Sequence, residues 1–163
     1  MVRIRETDYH HGAITTVLVN NGFNLSLFET QETRRSYNVS KGKEKYLIYS
    51  KFASNPSSTN ASRRSFTWSF SFSEEEVQKI KQYQASDSTC LIALTTHYGA
   101  ADGGELAIMT VDEFLRTLGE SGAVKSGRIY VVKEHRKQVR IYGTGINRAS
   151  AFIATTNLLT NNS

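Results

Sequence analysis

Proline and cysteine are almost absent from this chain of 163 residues, which has one of each. A lone cysteine, Cys90, cannot close an internal disulfide. It sits beside the apolar run 91–94 and reads as a buried small hydrophobe rather than a nucleophile. Long apolar runs are missing too. Nothing approaches the roughly 20 apolar residues of a membrane helix. The opening residues, Met-Val-Arg-Ile-Arg-Glu-Thr-Asp, lack the apolar core of a signal peptide. The expectation is therefore a cytoplasmic protein without membrane association. With 39% hydrophobic and 21% charged residues the chain has a globular composition, and its length suits a single domain, residues 1–163.

Acids are scarce in two places, and this matters more than the net charge of +5. Residues 34–64 hold eight Lys/Arg (Arg34, Arg35, Lys41, Lys43, Lys45, Lys51, Arg63, Arg64) against Glu44 alone. Residues 121–148 hold seven (Lys125, Arg128, Lys133, Arg136, Lys137, Arg140, Arg148) against Glu134. Between them, residues 73–120 carry nine acids and three bases. If the two basic blocks fold onto one face, the natural partner is a polyanion such as DNA or RNA. If they scatter, they are a solvated surface and no more.

The densest structural signal is at residues 65–84. Phe66, Trp68, Phe70 and Phe72 alternate with Ser65, Thr67, Ser69 and Ser71, which predicts a strand with an aromatic face and a hydroxyl face. Ser73 and Glu76 have capping-box spacing, and Val77, Ile80 and Tyr83 recur at helical spacing. A second capping box, Thr110 and Glu113, opens a helix that ends at Gly119. Earlier, residues 9–21 predict a helix through Ile14, Val17 and Leu18, against the strand preference of its β-branched residues. Phe23, Leu25 and Leu27 predict a strand. Residues 34–51 predict a hairpin turning at Lys41-Gly42-Lys43. Residues 53–62, serine-rich and holding the only proline, predict a flexible loop. Residues 89–96 predict a strand buried on both faces. Residues 105–109 predict another, and 128–132 with 138–142 a pair around the charged turn 133–137. The tail carries Ile146, Phe152, Ile153, Leu158 and Leu159, enough to dock on the body. The expected fold is α+β, with a mixed or antiparallel sheet of about five to seven strands and two or three helices.

The order helix, strand, strand, strand, helix, buried strand resembles the core of the PD-(D/E)XK nuclease superfamily, the restriction-endonuclease-like fold, over residues 9–96. The resemblance implies an acid in the second strand and an acid-x-Lys triplet in the third, holding a divalent metal that activates water. This chain departs from that pattern. Asn38 stands for the aspartate and Tyr49 for the second acid, and only Lys51 matches. Asn and Tyr supply no anionic oxygen at neutral pH, so the resemblance implies lost cleavage with retained binding, and no cofactor. Such small basic proteins are often associated with phage or with defence systems.

Three functions follow. The first is nucleic-acid binding through Lys41, Lys43, Lys45, Lys51, Arg63 and Arg64, extended by Arg136, Lys137 and Arg140. The second is a non-catalytic protein-binding module that uses the hydroxyl face of residues 65–72. The third is a nuclease or phosphodiesterase built on His97, Asp102 and Glu105, which fall within nine residues on a glycine-rich loop. One His and two acids fall short of a zinc set.

Overall fold

A computed structural model describes residues 2–30, 34–86, 88–98, 103–119 and 126–154, with backbone alone for 27–30. Helix α1 (Glu6–Asn20) is followed by β1 (Asn24–Thr30), β2 (Arg34–Lys41), β3 (Glu44–Ala53), β4 (Ser58–Asn60) and β5 (Ser65–Phe72). Helix α2 (Glu74–Gln84), β6 (Thr89–Thr96), β7 (Leu106–Thr110) and α3 (Val111–Leu118) come next, then β8 (Gly127–Glu134), β9 (Arg140–Gly143) and β10 (Phe152–Ile153).

The fold is α+β, as composition and pattern predict. Its strands divide between two five-stranded sheets, ordered β1-β2-β3-β6-β7 and β10-β9-β8-β5-β4. Strand β6 runs parallel to β3, and every other pairing is antiparallel. The alternation along the first sheet explains the layers. Ile48, Leu91, Ala93 and Ile108 face α1, where they bury Ile14 and Leu18. Leu47, Tyr49, Cys90, Ile92, Leu94, Ala107 and Met109 face the other way and share one core with Trp68, Phe70 and Phe72 of β5, Val77 and Ile80 of α2, and Phe114 of α3. The second sheet thus closes the far side of the first.

Local signals explain most elements. Ser73 and Thr110 cap α2 and α3 by accepting from the backbone N–H of Glu76 and Glu113, each at 3.2 Å. Helix α1 forms despite its β-branched run because Ile14 and Leu18 are buried against the first sheet; Thr15 and Thr16 donate back to the carbonyls of His11 and Gly12, at 3.1 and 2.8 Å. Seven of the eight residues of β6 are buried, as expected of a strand flanked by β3 and β7 and covered on both faces. Burial leaves Cys90 a free thiol with its pKa pushed up to about 12.

The loop expected at 53–62 is different from the prediction. It carries β4, which pairs with β5 through Ser58↔Thr67, Thr59↔Phe66 and Asn60↔Ser65. All three β4 side chains are exposed, so the strand exists through its backbone and leaves no apolar pattern to read. The hydroxyl face of β5 is not an open contact surface either: Ser65 and Thr67 are buried, and only Ser71 is exposed. Leu158 and Leu159 of the tail lie outside the described residues. No described helix is long and apolar enough to cross a membrane.

Candidate functional site

Antiparallel pairing decides where the basic residues meet. Strand β5 opposes β8 in the register Ser65↔Glu134 and Phe66↔Lys133. The start of β5 therefore sits beside the end of β8. The turn that enters β5, residues 61–64, meets the turn that leaves β8, residues 135–139. A hydrogen bond from the His135 N–H to the Arg64 carbonyl, 3.0 Å, ties the two turns together. Asn60 shapes the first turn, its Oδ1 accepting from Ser62 Oγ at 2.8 Å and from the Arg63 N–H at 3.2 Å.

Between the turns lies a groove of about 610 Å³, lined by Arg64, Lys133, His135 and Arg136 with the rings of Phe66 and Tyr98. No carboxylate is among its described lining residues. A second recess of about 380 Å³ adjoins it across Thr59, Asn60 and Ser65 and takes in Arg63 and Arg148. Glu134, the last residue of β8, is an acid beside these turns. Its ion pair with Lys137, with help from Arg140 and Arg148, holds its carboxyl below the ordinary range.

The backbone is strained here. Arg64 and Arg136 are the two non-glycine residues with positive φ among the described residues, at 48° and 61°. Both line the same groove. Left-handed backbone costs a non-glycine residue on the order of 1–2 kcal/mol. Such strain collects where a side chain is held for a purpose. Arg64→Gly should therefore raise stability by about 0.5 kcal/mol, relief of strain outweighing the greater freedom of the unfolded chain. Urea denaturation reads this directly, and a loss of stability would show that the Arg64 side chain supports the fold instead.

The other predicted residues go elsewhere. Lys41, Lys43 and Lys45 occupy the β2–β3 hairpin. Lys45 is eight residues, or about 26 Å along the strand, from Ala53, the β3 residue paired with Thr96, two residues before Tyr98. Lys41 is occupied locally: its Nζ donates to the Asn21 carbonyl at 2.9 Å and lies over the Phe23 ring.

Lys51 is drawn inward, with 13% of its side chain exposed. Its Nζ lies 3.0 and 3.2 Å from the two oxygens of Glu76 and also donates to the Ser71 carbonyl. Arg34 Nη1 reaches the same carboxylate at 3.0 Å, and the Tyr49 hydroxyl donates to it at 2.7 Å. Burial would raise the carboxyl pKa of Glu76, but the Ser73 N–H, Tyr49 and Lys51 together lower it to about 2. Burial and the charge of Glu76 push the Tyr49 hydroxyl well above the phenol range, so it remains a donor. Asn38 does not join this cluster. It pairs with Leu47, whereas the β2 residue opposite Lys51 is Arg34. Among the described residues, the carboxylate that Lys51 meets comes from α2, 25 residues later, and its oxygens are taken by two cations, a hydroxyl and a backbone N–H. This arrangement stores charge rather than offering ligands to a hard cation.

Asp102 lies outside the described residues. His97 and Glu105 border a cleft of about 300 Å³ against α1. Glu105 accepts from the Tyr98 hydroxyl at 2.5 Å, and the His97 ring meets His10 edge-on at 5.5 Å. Among the described residues, no three His, Cys, Asp or Glu side chains are grouped to hold a metal ion.

Phe66 and Tyr98 escape a reading based on charge. Phe66 has a signal, since it begins the aromatic alternation nearest Arg63 and Arg64. Tyr98 has none: it reaches the groove because Trp68 Nε1 donates to the His97 carbonyl at 2.9 Å and fixes the end of β6 against β5. Compared with protein-family models, with curated proteins and with solved structures, the chain matches none.

Proposed function

We propose that this chain is a nucleic-acid-binding protein that grips phosphates with Arg63, Arg64, Arg136 and Arg148 at one end of the second sheet, while Lys133, whose Nζ donates to the Lys137 carbonyl, adds to the field. The observation carrying this reading is the meeting of the two basic turns around a groove without a described carboxylate. Cations on both sides of a groove focus positive potential there and track a polyanionic backbone. Lys137 and Arg140 stand behind them beside Glu134 and act on the field more than by contact. The strand order of the first sheet, with α1 and α2 on opposite faces and β3 parallel to β6, supports reading residues 9–96 as a restriction-endonuclease-like core. In that reading the carboxylates that would hold a metal have been replaced, and the protein binds without cutting.

Fluorescence anisotropy with a labelled 20-nucleotide dT strand and a 20-base-pair duplex tests the proposal. About four phosphates engaged give a logarithmic salt slope near −3, so affinity falls roughly eightfold for each doubling of salt. The double variant Arg64→Glu, Arg136→Glu should weaken binding at least about 30-fold. Lys43→Glu with Lys45→Glu, the same change of charge at the far hairpin, should cost no more than about threefold. Binding indifferent to salt would instead favour a protein-binding module. Equal losses in the two double variants would move the interface off the groove.

A further inference from the structure

Resting on that reading, we propose that the groove receives an unpaired nucleobase, which makes single-stranded nucleic acid the preferred substrate class. The cations account for phosphate binding but not for the aromatic floor. Phe66 and Tyr98, both half-buried, line the groove with ring centroids 5.0 Å apart and planes 70° apart, forming a corner of one face and one edge. A flat aromatic guest fits such a corner by stacking on one ring and meeting the edge of the other.

The corner is held in place. Trp68, fully buried, backs both rings at 5.2 Å from Tyr98 and 6.1 Å from Phe66. The Tyr98 hydroxyl is pinned on Glu105, and its N–H donates to the Gly103 carbonyl at 2.9 Å. Side chains fixed this way lose little entropy when a base stacks on them. The volume of about 610 Å³ falls within the range of small-ligand sites. Arg64 and Arg136 at the lip stand where the phosphates flanking a splayed base would run. In a duplex the bases are stacked inward, so only its phosphates can meet the protein, at the cations. Every base has a π-face, so this recognition tolerates sequence.

The test compares four probes on the whole protein: dT20, rU20, a 20-base-pair DNA duplex, and a 20-unit abasic strand carrying the same phosphates. The better of dT20 and rU20 is expected to bind about tenfold tighter than the abasic strand at equal salt. Phe66→Leu, which keeps an apolar side chain of similar bulk, should reduce that advantage to within about threefold. Equal affinity of the wild-type protein for the abasic strand and both base-bearing strands would overturn the inference, and needs no variant to fold. The two proposals fail differently. If all probes bind with a steep salt slope and bases make no difference, base capture fails and phosphate binding stands. If none binds, both fall.

Discussion

Replacing Glu76 by glutamine is expected to cost the fold about 3–5 kcal/mol, the range for removing one partner of a buried ion pair. Glu76 is 6% exposed and is the carboxylate that both Arg34 and Lys51 reach. The amide keeps the shape but only one acceptor oxygen, so it gives up the charge together with one of the two hydrogen bonds from the Ser73 N–H and the Tyr49 hydroxyl, which go to different oxygens of Glu76. The pH dependence has a definite sign. The folded pKa, about 2, lies below the ordinary value of about 4.5. The stabilisation is therefore complete above about pH 4.5 and is lost as pH falls through that window toward 2. Denaturant unfolding from pH 7 down to pH 2 should show wild type converging on Glu76→Gln at the acid end. Equal stability at pH 7 would mean that the two cations are hydrated in solution and that the cluster carries no weight.

Gly145→Ala is expected to cost about 3 kcal/mol, at the upper end for overpacking. A Cβ at position 145 would stand 2.2 Å from the Cα and N of Gly119 and 2.8 Å from the Arg116 carbonyl oxygen. None of these is a flexible side-chain end that can swing aside. Gly119 closes α3 in the left-handed conformation, φ 77°, and the Gly145 N–H donates to the Thr117 carbonyl at 2.8 Å. This backbone-to-backbone contact seats the end of α3 on the turn after β9. Forcing it apart should lower the midpoint of thermal unfolding by about 6–12 degrees for a chain this size, as calorimetry can read. An unchanged midpoint would show that the turn can retreat freely.

The Ser73 and Thr110 caps show where sequence reading succeeds: four residues carry the whole signal. Alternation likewise locates β5, and continuous apolar character locates β6. What alternation does not encode is which strands pair. Strand β5 follows β3 and β4 in the chain but finds β8 beyond α2, β6, β7 and α3, and that pairing makes the second sheet. The same blindness affects the site. Arg63, Arg64 and Arg136 are visible as basic residues, yet only the β5–β8 register brings them together, and it leaves Lys41, Lys43 and Lys45 at another end. Lys51 is the clearest case. From its neighbours it is a strand lysine with no acid two residues before it, and its partner Glu76 is visible only as a helix cap. One carboxylate does both jobs because α2 begins where β5 ends, against the open end of β3.

The location of binding is the point on which the functional account turns. Backbone amide NMR of the protein titrated with dT20 reads it residue by residue. The account predicts that shift changes concentrate at residues 60–66, 98 and 133–137, spread to Arg148, and shrink together as salt is raised. Changes centred on the hairpin lysines 41–45, or on the cluster of Arg34, Lys51 and Glu76, would contradict it.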